Sequence, residues 1–176
     1  MAAFWKEAID FGISCSDHKE QIREIVPALD DVLRYTEPDK PFLEVGSREG
    51  GSSIFMMGWM VMMEQFNREL TTVDMSGISP KVGEWADKLG LRVHTVQSLQ
   101  ADFVKANEKE WAFIFLDADH DRASVTRDIL VLAPKLVRHG IIAVDDVNGW
   151  DVLPDLSPAG LERIHYEVDQ GKRLGI

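Results

Sequence analysis

The spacing of apolar residues changes period repeatedly along this chain. Ile22, Ile25, Val26, Leu29 and Leu33 recur at helical intervals, which predicts a helix running to Tyr35, capped by Ser16 or Asp17 and kinked at Pro27. Residues 37–41 are turn formers, and Phe42, Leu43 and Val45 then make a short apolar strand that ends in a glycine loop. The helix predicted over 52–67 is apolar nearly all round, with Ile54, Phe55, Met56, Met57, Trp59, Met60, Val61, Met62 and Met63. A helix without a polar face is either buried between a sheet and another element or is a subunit interface. Strands over 69–75, 91–96, 111–116 and 140–144 alternate with helices over 80–89, 99–107 and 123–137, the last with Pro134 near its end. Five apolar strands joined by helices predict a doubly wound, mostly parallel α/β sheet covered on both faces.

Length and charge narrow the partners. One domain over 1–176 is expected: an N-terminal helical segment over 1–40, a core over 41–147, and a C-terminal loop and helix over 148–176. Thirty acidic against 19 basic residues give a formal net charge of -11, which repels phosphate backbones and anionic lipid and favours a small-molecule partner over nucleic acid. Cys15 is the single cysteine, so no internal disulfide forms. The opening residues carry Lys6, Glu7 and Asp10 and do not read as a signal peptide, and the apolar run 54–63 is too short to span a bilayer; a cytoplasmic location is expected.

Carboxylates gather where the strands end. Glu44 lies in the first strand, Asp74 ends the second, Asp117 follows the fourth, and Asp145 and Asp146 follow the fifth. Ligands of open α/β sheets bind outside the carboxyl ends of the strands, so these acids are expected to converge, although each alone reads equally well as a cap or a polar exit. The loop Gly46 to Gly51 allows close backbone approach to a ligand, and the helix after it offers N–H groups to an anion. Arg48 stands where the dinucleotide fingerprint needs glycine, and no Gly-Lys-Ser/Thr ending is present, which disfavours an NAD(P)-binding oxidoreductase or a nucleotide hydrolase.

The string Glu44-x-Gly46-x-x-x-Gly50-x-Ser52, with Asp74 closing the next strand, resembles motif I of the class I S-adenosylmethionine-dependent methyltransferases. That resemblance implies a cofactor site of Glu44, Gly46, Ser47, Gly50 and Ser52 at the methionine end, Asp74 at the ribose, and Gln97 and Ser98 near adenine, with Asp117 beside it. A narrower resemblance, carried by Asp117-x-Asp119-His120 and Asp145-Asp146, is to the divalent-metal O-methyltransferases of the macrolide-sugar branch. It implies magnesium or manganese on Asp117, Asp145 and Asp146, with His120 as general base toward a small-molecule hydroxyl acceptor. His120 also reads as a capping or surface histidine, and Asp145-Asp146 as a solvated turn.

Residues 148–176 are few for the crossover helix and antiparallel hairpin with which such sheets close, so the hairpin is expected to be missing. Either the chain is truncated or a partner covers the open edge. Homo-oligomerisation through that edge or the Met-rich helix, and a truncated or inactive binding module, are the alternatives to an active enzyme.

Overall fold

The computed structural model describes residues 4–15, 25–118 and 121–145. Its elements in chain order are α1 (Phe4–Cys15), α2 (Val26–Tyr35), β1 (Phe42–Val45), α3 (Gly51–Met62), β2 (Glu69–Asp74), α4 (Pro80–Leu89), β3 (Arg92–Gln97), α5 (Gln100–Ala106), β4 (Trp111–Leu116), α6 (Arg122–Leu132) and β5 (Leu136–Val144). All strand pairs are parallel, in the order β3-β2-β1-β4-β5, so the predicted doubly wound α/β sheet is the one found. The chain builds outward from β1 through β2 to β3, then returns to the other side of β1 with β4. The reversal of strand order therefore falls between β1 and β4.

Period-two alternation splits the core in two. Phe42 and Leu70 point to the face covered by α1, α2, α3 and α4; Leu43, Val45, Val73 and Ile114 point to the face covered by α5 and α6. β3 is an edge strand, and its exposed Arg92 and His94 both meet Glu69 of β2, at 2.8 and 3.4 Å.

The Met-rich helix α3 is buried. Ile54, Phe55, Met56, Met57 and Met60 are all within 1% of complete burial, worth roughly 1.5–3 kcal/mol per side chain. Its outer flank is closed by α1, which runs antiparallel to it: Trp5 and Ile9 lie against Gly58, and Gly12 and Cys15 against Gly51. No helix among the described residues is long and apolar enough to cross a membrane.

Three predicted boundaries shift, each for a local reason. Pro27 occupies the first turn of α2, where a missing N–H costs nothing, and so begins the helix rather than kinking it; residues 16–24 lie outside the described set. α3 stops at Met62 because Glu64 takes a left-handed conformation, with Gln65 N–H donating to the Met60 carbonyl at 2.9 Å and Glu64 N–H to that of Val61 at 3.0 Å. Pro134 ends α6 at Leu132, and β5 begins at Leu136 through an irregular stretch in which His139 has φ +65°. The predicted C-terminal loop and helix over 148–176, and with them the expectation about the closing hairpin, lie outside the described residues.

Candidate active site

Four predicted site residues stand level at the carboxyl end of the sheet. Val45 pairs with Val73 and Leu116, and Leu116 with Val144, so one step further Gly46 lies beside Asp74 on one side and Asp117 on the other, with Asp145 next to Asp117. Backbone bonds carry the ladder onto this level: Gly46 N–H to the Val73 carbonyl at 2.8 Å, Asp117 N–H to Val45 at 2.8 Å, and Asp145 N–H to Leu116 at 2.9 Å. Gln97 completes the row opposite Asp74. The level straddles the reversal of strand order, the place where open α/β sheets bind ligands.

Gly46 is irreplaceable on two counts. Its φ is +96°, and a Cβ there would stand 1.9 Å from the Asp117 carbonyl oxygen and 2.9 Å from the Ala118 Cα. Gly50 (φ +81°) opens α3 without a side-chain cap, leaving the first turn of that helix to face an anionic group with its backbone N–H groups.

Glu44 sits two residues below the row and is completely buried. Its carboxylate accepts hydrogen bonds from the Ser52 and Ser53 hydroxyls and from Thr72 Oγ1 at 2.5 Å. The Ser47 hydroxyl lies 3.1 Å from that of Ser53. Burial pushes the Glu44 carboxyl above its ordinary value, and the donors from Ser52, Ser53, Thr72 and Ser47 work against that rise. Glu44 thus anchors the first turn of α3 to β1 and β2 from beneath.

Asp74 reaches the loop directly. Its Oδ2 accepts the Arg48 N–H at 2.8 Å and the Ser47 N–H at 3.1 Å, and its Oδ1 accepts the Ser76 N–H at 2.7 Å. Burial alone would raise this carboxyl, but the N–H groups of Arg48 and Ser76, the Ser76 hydroxyl and the Ser47 N–H together outweigh it and hold Asp74 below the usual range. Arg48, one of these donors, has φ +44°. Ser98 N–H donates to the Asp74 carbonyl at 3.2 Å, and the exposed Gln97 amide donates to the Met75 carbonyl at 3.3 Å.

Thr72, Met75 and Leu99 were not foreseen. Met75 and Leu99 are 68% and 58% exposed at the ends of β2 and β3, an apolar surface on either side of Gln97 and Ser98. Thr72 was legible only as a polar residue inside a buried strand, two positions before Asp74. Asp121, next to the candidate base, is the cap of α6, accepting N–H groups from Ala123 and Ser124 at 3.0 and 3.1 Å. His120 and Asp146 lie outside the described residues. Among the described residues no group of three or more His, Cys, Asp or Glu is placed to hold a metal ion.

Comparison with known proteins agrees with this architecture. The sequence pattern of the family described as "Methyltransferase domain" matches residues 43–147, more than half the chain. No curated protein matches the sequence. Among solved structures, the S-adenosylhomocysteine-bound methyltransferase PaMTH1 of Podospora anserina superposes with a TM-score of 0.55 at 24% identity, over 82% of this chain and 62% of that one. CalS11, a TDP-rhamnose 3'-O-methyltransferase of calicheamicin biosynthesis, gives 0.57 at 13% identity over 78% and 68%. Cofactor-bound Rv0187 from MTB gives 0.54 at 18% over 83% and 63%. At these identities the likeness is one of fold, and the chain spans about three-fifths to two-thirds of these proteins' length.

Proposed function

Since the chain belongs to this methyltransferase-domain family, we propose that it binds S-adenosylmethionine at the carboxyl ends of β1, β2 and β4 and methylates a hydroxyl of a small molecule. The observation that carries this reading is the level row Asp74, Gly46, Asp117 beside an α3 first turn that no side chain caps. The cofactor supplies an electrophilic methyl group on a sulfonium. Gly46, Ser47 and the N–H groups of the α3 first turn receive its carboxylate end. Asp74, whose carboxylate already holds the N–H groups of Ser47, Arg48 and Ser76 at the end of β2, would accept a ribose hydroxyl. Met75 and Leu99 provide apolar contact for adenine beside Gln97 and Ser98. Transfer then depends on alignment and exclusion of water more than on charge stabilisation, because the positive charge on sulfur is lost as the bond to oxygen forms.

Metal-assisted O-methylation by a branch akin to the macrolide-sugar enzymes is the finer form of this proposal. Asp117 and Asp145 follow neighbouring strands paired in register, and carboxylates are the hard oxygen donors that magnesium or manganese prefers. With Asp146 they would hold such an ion, whose Lewis acidity would lower the pKa of an acceptor hydroxyl, and His120 would take up its proton. A net charge of -11 supports a small-molecule acceptor rather than nucleic acid or an anionic membrane.

Calorimetric titration of S-adenosylmethionine and S-adenosylhomocysteine, with magnesium and then with a chelator, tests the reading. Binding of both, followed by a gain of one methyl mass on a hydroxylated acceptor, is expected. A folded protein that binds neither ends the enzyme reading and leaves an assembly module of the same fold.

A further inference from the structure

The family pattern begins at residue 43, yet a helix that precedes it touches the cofactor loop. On α1, Gly12 approaches the first turn of α3 so closely that a Cβ there would stand 2.6 Å from the Gly51 carbonyl oxygen and 2.8 Å from both the backbone nitrogen and the Cβ of Phe55. From the other side, a Cβ on Gly51 would meet Cys15 Cβ and the Gly12 carbonyl, each at 3.1 Å. Glycine on both helices lets the two backbones lie in direct contact.

The turn so contacted is the one that the site uses. Its serines, Ser52 and Ser53, donate to the buried Glu44 below, and Gly50, at φ +81°, is hemmed on the α4 side by Val82, whose Cγ2 would be 2.4 Å from an added Cβ. The turn is thus fixed from β1, from α4 and from α1, while its N–H end is left uncapped. We propose that Gly12 is a positioning residue for the cofactor: by admitting α1 into backbone contact with Gly51, it sets where the α3 N–H groups meet the cofactor's methionine end. This rests on the cofactor reading given above.

The same helix pair contains its own control. Gly58, two turns further along α3, is nearly as tight, with a Cβ placed 2.8 Å from Ile9 Cγ1 and 2.9 Å from the Trp5 carbonyl, but it lies away from the loop. Gly12→Ala and Gly58→Ala both wedge the helices apart, and only the former displaces the cofactor turn. Affinities for S-adenosylhomocysteine and for 5'-methylthioadenosine, which lacks the amino-acid end, are measured on the whole chain by calorimetry, below each variant's unfolding temperature. Gly12→Ala is expected to weaken S-adenosylhomocysteine by about tenfold or more and to leave methylthioadenosine within about twofold, with Gly58→Ala changing neither. Gly51→Ala, whose contacts are milder, reports the same selectivity if Gly12→Ala does not fold. Equal losses for both ligands, no loss, or a Gly58→Ala variant that behaves like Gly12→Ala overturns the positioning role while wild-type binding keeps the cofactor site. A wild-type chain that binds neither ligand overturns both.

Discussion

The backbone of Asp117 lies directly across Gly46: the Asp117 carbonyl oxygen occupies the space, 1.9 Å away, that any side chain at position 46 would need. The two residues end adjacent strands on either side of the point where strand order reverses, so the loop after β1 and the loop after β4 are seated on one another. Gly46→Ala must both strain a left-handed backbone and push the β4 loop away. A loss of roughly 2–4 kcal/mol in stability is expected, read as a lower urea midpoint at unchanged slope, together with loss of S-adenosylhomocysteine binding.

Glu44 and Asp74 give opposite pH signatures. The folded state binds the Glu44 proton more tightly than the unfolded chain does, so this group favours folding at low pH and costs stability as pH rises from its ordinary value near 4.5 through its raised folded value. Glu44→Gln is expected to flatten that decline, measured as urea stability at intervals from pH 4 to 8. A decline identical to wild type would assign it to another group.

Asp74 works the other way. Its depressed carboxyl contributes stability above its ordinary value of 3.8 and loses it as pH falls through the folded value. Asp74→Asn sets an amide donor against the N–H groups of Ser47, Arg48 or Ser76, at an expected cost of about 1–3 kcal/mol, and it removes this acid limb. Cofactor affinity should fall with it, since the loop loses its tether. Asp74→Asn that binds S-adenosylhomocysteine as wild type does would refute that coupling.

Thr72→Val is nearly isosteric and deletes one donor to a fully buried carboxylate. It is expected to cost about 1–3 kcal/mol and to raise the Glu44 carboxyl further. Thr72→Ser, which restores the hydroxyl, should recover most of the loss in thermal unfolding. A Val variant as stable as the Ser variant would show that the hydroxyl contributes packing alone.

Asp145→Ala separates metal chemistry from cofactor binding. If Asp117 and Asp145 share an ion, transfer to a hydroxylated acceptor should fall on the order of a hundredfold while S-adenosylhomocysteine affinity holds, and a chelator should do to wild type what the substitution does. Transfer unaffected by both treatments would remove the metal from the reaction.

The architecture was legible because both periods are strong here: Trp111 to Leu116 reads as a buried strand, and Pro80 to Leu89 as a helix, with the boundaries found. Gly90, left-handed after α4, is a visible stop signal; Glu64, left-handed after α3, is not, because nothing in a glutamate announces that conformation. The strand-end acids were foreseen from position alone, and their level alignment follows from register. The use of Asp74 to hold the loop's own N–H groups was not, since sequence shows an acid but not which donors reach it. That α3 would be covered was legible from its lack of a polar face, but that α1 would cover it was not: α1 is short, and the glycines that let it dock carry no pattern of their own.

That docking separates two edges that are easily confused. The inherited sequence pattern starts inside β1, but the mass that keeps water off Phe55 and its neighbours includes a helix some thirty residues upstream. A fragment cut to begin at Phe42 would retain the whole row of strand-end acids and bare a greasy ridge along α3, an adhesive flank that would draw copies of itself together. In this protein the family pattern and the packing that closes over α3 have different beginnings.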